Sequence, residues 1–449
     1  MTEPFVVIGG DAAGMSAASK ARREDPDREI VVFEKGEWVS YGACGLPYYV
    51  KGEIGSLSEL VSVTPSSFRE ERDVDLRTEH EVTAIDTDDR IVTVDGPGET
   101  VEQPYGDLLV ATGASAVVPP IEGIELAEVY TLHGMEDGRA IRDRLESGGS
   151  PESVGIVGGG YVGVEMAEAF RAHGLEVHLF EMLPHLLPPF GDAVGRTVED
   201  ELEANGVSVH VDTPVEGFEG GEAVESIRTP ADTVPVDMAL VGVGVSPNTA
   251  LAEAAGIELG ETGAIATDEY GRTTAEDVYA AGDCAEMTHA VTGQPTHVPL
   301  ALTANRAGRA VGQSVTGTPT RVGEIVGTAA VKAFDLEAAR TGILDEERAQ
   351  NAGFEPVSRT ITTESRAGYY PGGSPIEITL VGDRETGRVL GASMVGEEGV
   401  SKRIDTVATA LHTELTAEEM ETLDLAYAPP FGPTWDPVLT AAKVLAGSY

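Results

Sequence analysis

The sequence predicts an α/β fold in which two doubly wound domains are followed by a C-terminal α+β domain. Three observations predict it. At 449 residues the chain is too long for a single ordinary core. A strand, glycine turn, helix and strand follow one another twice, about 150 residues apart. From about Val322 onward no glycine turn recurs, and alternating stretches such as Pro375 to Val381 suggest an antiparallel sheet.

In the first repeat, Phe5-Val6-Val7-Ile8 reads as a buried parallel strand. Gly9-Gly10-Asp11-Ala12-Ala13-Gly14 follows, then a helical stretch from Met15 to Arg23, then Ile30 to Phe33 ending at Glu34. In the second, Ser153 to Val157 is the strand and Gly158-Gly159-Gly160-Tyr161-Val162-Gly163 the turn. Val164 to His173 is then the helix, and Val177 to Phe180 a strand ending at Glu181. Such a turn lets backbone N–H groups and a helix N-terminus meet a pyrophosphate, while the acidic residue accepts from a ribose hydroxyl. Both repeats are therefore Rossmann-like dinucleotide-binding units. Asp11 stands at the middle glycine position of the first, so either its carboxylate turns away or the local geometry differs. In the second, Glu181 followed by Met182, Leu183 and Pro184 offers no cation to a 2′-phosphate. That favours NADH over NADPH, with His185 keeping the other reading open.

The helical pattern from Ser401 to Leu415, a start signal at Thr416 to Met420 and the rigid Ala428-Pro429-Pro430 segment predict a compact C-terminal domain. Acidic residues outnumber basic ones 76 to 30, a formal charge of −46. Only six of the cations are Lys. Spread along the chain without an acidic tail, this excess is expected of a halophilic, haloarchaeal surface working in salt; an acidic docking face is the alternative. A nucleic-acid partner is disfavoured because phosphate backbones need a basic stripe. The absence of an apolar run of about 20 residues argues against a membrane span. Two cysteines, Cys44 and Cys284, fit a reducing, cytoplasmic setting.

Leu108-Leu109-Val110-Ala111-Thr112-Gly113 and Val278-Tyr279-Ala280-Ala281-Gly282-Asp283 resemble the ATG motif and second FAD motif of the two-dinucleotide flavoproteins that include glutathione reductase. The resemblance spans nearly the whole chain. It implies a glutathione-reductase-like fold with an FAD domain split around an NAD(P) domain. The parts are residues 1–114 and 245–321 for FAD, 115–244 for NAD(P), and 322–449 for a dimerisation domain. It further implies that Asp283 bonds the flavin ribityl chain and that Glu34, beside Lys35, holds the adenosine ribose. Val82, Gly282, Leu300, Ala301 and the Ala111-Thr112-Gly113 segment complete the FAD site with the first glycine turn. Gly158, Gly160, Tyr161, Val162, Gly163, Glu181 and Gly244 fall to NAD(P).

The sulfur decides the reaction class. The residues five before and five after Cys44 are Val39 and Tyr49, so no C-x-x-x-x-C disulfide exists there, and Cys284 reads as a small core residue. Ser40-Tyr41-Gly42-Ala43-Cys44-Gly45-Leu46-Pro47-Tyr48 resembles the single-cysteine motif of coenzyme A disulfide reductases and their oxidase and persulfide-reductase relatives. At the start of a short helix over Gly45 to Lys51, Cys44 is expected to ionise easily. Peroxidases and oxidases of this kind carry a histidine where this chain has Ala12, which tilts the reading toward disulfide exchange. Tyr369 and Tyr427 resemble the two tyrosines that a partner subunit brings to the site, where a phenol can protonate a leaving thiolate. Ser16, Lys20, Arg23, Ser40, Arg72 and Asn305 stand where the family contacts coenzyme A, while Ala43 lacks the polar side chain of some relatives.

These readings predict a homodimeric, NAD(P)H-dependent flavoprotein that reduces coenzyme A disulfide or a related small disulfide through Cys44, with no metal. An NADH oxidase or a persulfide/polysulfide reductase using the same FAD and cysteine is the alternative. A redox-responsive binding protein without fast turnover is the reading from another class.

Overall fold

The apolar runs Phe5–Ile8 and Ile30–Glu34 lie inside a five-stranded parallel sheet in the computed structural model, which describes residues 3–449. Its order is Val278–Ala280, Asp107–Val110, Phe5–Ile8, Ile30–Glu34, Asp75–Thr78. Phe5, Val6 and Val7 are fully buried, which is why the sequence shows a continuous run and no alternation. The strand from residue 278 pairs with the one from residue 107, so the chain leaves this sheet and returns to it. The helices Ala12–Glu24 and Ala301–Ser314 pack backbone to backbone beside it. A Cβ on Gly308 would stand 2.0 Å from the Ala13 carbonyl oxygen.

The intervening chain forms a second five-stranded parallel sheet, ordered Val207–His210, Glu176–Phe180, Ser153–Val157, Met238–Val241, Val129–Thr131. The last third forms an antiparallel sheet, ordered Ala329–Ala333, Leu336–Gly342, Val389–Gly396, Pro375–Asp383, Pro356–Glu364. One face of it carries the helices Val400–His412 and Pro437–Ala446, with Ile376, Ile378 and Leu380 in that core. From the other face, Val331, Ala338 and Val395 join the core of the second sheet, meeting Val164 and Ala167. Of five hydrophobic cores among the described residues, the two largest thus run from one part of the chain into another.

The helix expected to run to Leu415 stops at His412, because Glu414 takes a left-handed φ of 55°. The expected restart is present: Thr416 caps the Ala417–Glu421 helix with a reciprocal bond to Glu419. Two small antiparallel sheets, over residues 81–104 and 217–235, were not foreshadowed by any motif. No helix among the described residues is long and apolar enough to cross a membrane.

Candidate active site

The two glycine turns are near copies. Gly9 and Gly158 have φ of +109° and +108°, and a Cβ on either would strike the carbonyl of Ala111 or Gly242. Only glycine tolerates both the angle and the approach. The amides of Gly10 and Gly159 donate to Glu34 and Glu181, each at 2.7 Å. The second oxygens of these carboxylates accept from the amides of Gly36 and Leu183. Each acidic residue therefore stands at its turn, held by backbone. His185 places its Nδ1 3.2 Å from a Glu199 carboxylate oxygen.

Asp11 resolves the irregularity of the first turn. Its carboxylate turns away and accepts the Tyr41 amide at 3.0 Å, while the Ser40 amide donates to the Gly10 carbonyl. The cysteine loop is thus tied directly to the dinucleotide turn. Burial raises the Asp11 carboxyl to about 6, against the Tyr41 bond and with help from Glu34 and Asp283.

Cys44 sits in a single 3₁₀ turn, Ala43–Gly45, ahead of the helix Leu46–Lys51. A Cβ on Gly45 would lie 2.3 Å from the Leu60 side-chain methyl, so a larger residue there would have to displace Leu60. The sulfur reaches solvent. The expectation of an easily ionised thiol is corrected by its surroundings: burial pushes the thiol up, and the carboxylates Glu165, Asp283 and Asp11 push it further. A one-turn helix start does not offset three nearby acids. Cys284 is fully buried, donating to the carbonyls of Val110 and Ala281.

Asp283 follows the Val278–Ala280 strand, and burial raises its carboxyl, with His297 and His133 opposing the rise. Its carboxylate accepts no protein hydrogen bond among the described residues, which suits a ligand rich in hydroxyl groups. Leu300 caps the Ala301–Ser314 helix with no side-chain acceptor, leaving its first amides for a ligand. Gly113 and Gly244, both at positive φ, have open space where a Cβ would stand. The Val82 side chain is buried in a core cluster with Ile8, Phe33 and Val110. These features fit FAD in the first domain and a nicotinamide nucleotide in the second.

Residues 3–308 match the pyridine nucleotide-disulphide oxidoreductase family and residues 328–437 its dimerisation domain. The chain belongs to this family. It is 39% identical to the NAD(P)H coenzyme A polysulfide/persulfide reductase of Pyrococcus horikoshii, over 99% of both chains. It is 30% identical to the coenzyme A disulfide reductase of Staphylococcus haemolyticus, over 95% of this chain and 96% of the other. The solved structure of a NAD-dependent persulfide reductase from A. fulgidus superposes with a TM-score of 0.95 at 39% identity, over 99% of this chain and 83% of that one. As in the family, FAD and NAD(P)H are the cofactors, and the activity is FAD-dependent sulfur or disulfide reduction.

The remaining site residues divide into two groups. Ser16 donates to Asn305 at 2.6 Å, Arg72 donates to Ser19, and Lys20 is paired with Glu24. Of the cations proposed for substrate, only Arg23 is exposed with no ion pair among the described residues. Tyr369 and Tyr427 stand together, hydroxyl to hydroxyl at 2.7 Å, on exposed loops of the C-terminal domain. Tyr48 and Glu165 escaped the sequence reading. The one available signal was two carboxylates, Glu165 and Glu168, on the otherwise apolar first turns of the Tyr161–Ala172 helix.

Proposed function

We propose that the protein is an NAD(P)H-dependent flavoprotein reductase of sulfane sulfur carried on a small thiol, with coenzyme A persulfide or polysulfide as its substrate. The supporting observation is one solvent-reaching cysteine whose only companion, Cys284, is sealed in the core. A lone sulfur cannot form an internal disulfide and must exchange with sulfur brought by the substrate. The persulfide-reducing relatives, at 39% identity, favour this over simple disulfide reduction, represented at 30%. Coenzyme A disulfide is the second reading, favoured by the paired tyrosines.

FAD, when bound, supplies a two-electron relay between nicotinamide and sulfur. The Cys44 thiolate attacks the outer sulfur of RS–SH, the S–S bond breaks and RS⁻ departs, leaving a persulfide on Cys44. Two electrons then cleave this to the Cys44 thiolate and hydrosulfide. Tyr427 protonates RS⁻, with Tyr369 hydrogen-bonded behind it. The Tyr427 loop also exposes Phe431 and Trp435, and the Tyr369 loop exposes Tyr370, an apolar patch suited to seating in a second copy of the chain. The functional unit is accordingly a homodimer with tyrosines crossing between subunits. Arg23, exposed and without an ion pair among the described residues, is the cation offered to the phosphates of the carrier thiol, whereas Lys20 is buried and held by Glu24. Glu181 and the engagement of His185 make NADH the preferred donor.

The test is NADH oxidation in molar salt, run anaerobically with coenzyme A persulfide or coenzyme A disulfide, and separately in air without either. Fastest turnover with the persulfide, releasing hydrosulfide, is expected. Faster turnover with the disulfide selects the second reading, and turnover only with oxygen overturns both. Cys44→Ser should retain yellow FAD and its reduction by NADH while losing turnover on either sulfur substrate.

A further inference from the structure

The Tyr161–Ala172 helix begins at the nicotinamide turn and runs past the cysteine helix Leu46–Lys51, so a residue on it can sense both. Glu165 is that residue. It accepts the Tyr48 hydroxyl hydrogen at 2.9 Å, and Tyr48 lies four residues after Cys44. Among the described residues no cation bonds Glu165: Lys51 and Lys332 both go to Glu168, one turn further along. The two carboxylates of this helix are therefore in different states. Burial raises Glu165 to about 7, against the Tyr48 bond, with Glu168 adding to the rise and Lys332 opposing it. After burial, Glu165 is the largest influence holding the Cys44 thiol above its ordinary range, ahead of Asp283 and Asp11.

We propose that Glu165 is a positioning residue that shares one negative charge with Cys44, so that the thiolate forms together with the neutral carboxylic acid and the thiol with the carboxylate. The linkage is reciprocal: ionising Cys44 makes Glu165 take up a proton, and ionising Glu165 protonates Cys44. Tyr48 holds Glu165 at the cysteine helix and sets the balance by stabilising its anion. The site can then accept the negative charge generated at sulfur in each cycle without gaining net charge. With Asp11 and Asp283 already beside Cys44, a further uncompensated charge would be costly.

The pH dependence of Cys44 alkylation tests this without reference to any substrate. Holoenzyme is reduced with dithiothreitol, desalted anaerobically and treated with iodoacetamide, and the label at Cys44 is quantified by mass spectrometry. Glu165→Gln keeps the shape and removes the charge, so the Cys44 profile should move about one unit toward acid. Its rate at pH 8 should rise about tenfold. Tyr48→Phe removes the bond that favours the anion and should move the profile the same way by less. Retained FAD absorbance certifies folding of each variant. Unmoved profiles in folded Glu165→Gln, or in folded Tyr48→Phe should the first variant lose FAD, overturn the proposal. Loss of persulfide turnover in the wild type would bear on the function above and leave this result standing.

Discussion

At the scale of single residues, the site is dominated by carboxylates placed where burial works against their charge. Asp11 is the clearest case, with a carboxyl near 6 compared with 3.8 for a free one. The folded state holds the proton more tightly than the unfolded one, so stability falls as pH rises from about 4 to 6, by about 3 kcal/mol. Asp11→Asn retains an acceptor for the Tyr41 amide and removes the ionised form. It should melt higher than wild type at pH 7, and the two should converge below pH 4 in thermal unfolding of the holoenzyme. Tyr427 behaves differently, being exposed, with its hydroxyl shifted down by the bond from Tyr369 while that of Tyr369 shifts up. Tyr427→Phe should slow sulfur-substrate turnover about 10- to 100-fold and leave NADH reduction of FAD unchanged in stopped-flow traces. Equal slowing of both half-reactions would argue against the proton-donor role.

At the scale of elements, one buried carboxylate joins the three domains behind Cys44. Glu168 accepts from Lys51 of the cysteine helix at 2.7 Å, from Lys332 of the antiparallel sheet at 2.5 Å, and from the Phe334 amide at 2.9 Å. Burial raises its carboxyl, and the two lysines and the amide outweigh that, holding it below the usual range. Its stabilisation is present above the unfolded pKa and disappears as pH falls through the folded one. Glu168→Gln leaves Lys51 partly buried without its main partner and should cost about 1–3 kcal/mol in urea unfolding at pH 7, with a smaller difference in acid. The glycine turns and the flanking strands were legible in the sequence because a buried parallel strand is a continuous apolar run and the turn geometry requires glycine. Glu168 was not, since nothing in the spacing of Lys51, Glu168 and Lys332 announces that three domains meet there. Cys44 was legible as a redox sulfur, but what opposes its ionisation was not, because that comes first from burial and then from Glu165 and Asp283, which arrive from distant parts of the chain.

At the scale of the whole molecule, a charge of −46 must be carried by a fold with few cations to spare. Several of those cations are committed in place: Lys51 and Lys332 to the domain junction, Arg28 to Asp107, Arg403 to Asp436 and Arg366 to Glu398. The unpaired acids on the surface repel one another over distances that dilute buffer does not screen. The Debye length is about 30 Å at 0.01 M and about 3 Å at 1 M. Across a homodimer the same repulsion acts between subunits, so association should weaken before either subunit unfolds. Lowering salt from 2 M to 0.05 M is therefore expected to shift the protein toward monomer in analytical ultracentrifugation, and to lower its melting temperature. If Tyr369 and Tyr427 serve the partner's site as proposed, sulfur-substrate turnover should be lost in step with dissociation. Both glycine turns lie within one chain, so FAD reduction by NADH should outlast that loss. A dimer that stays intact and active at 0.05 M would show that the acidic surface is not held by screening, and would favour an acidic docking face instead.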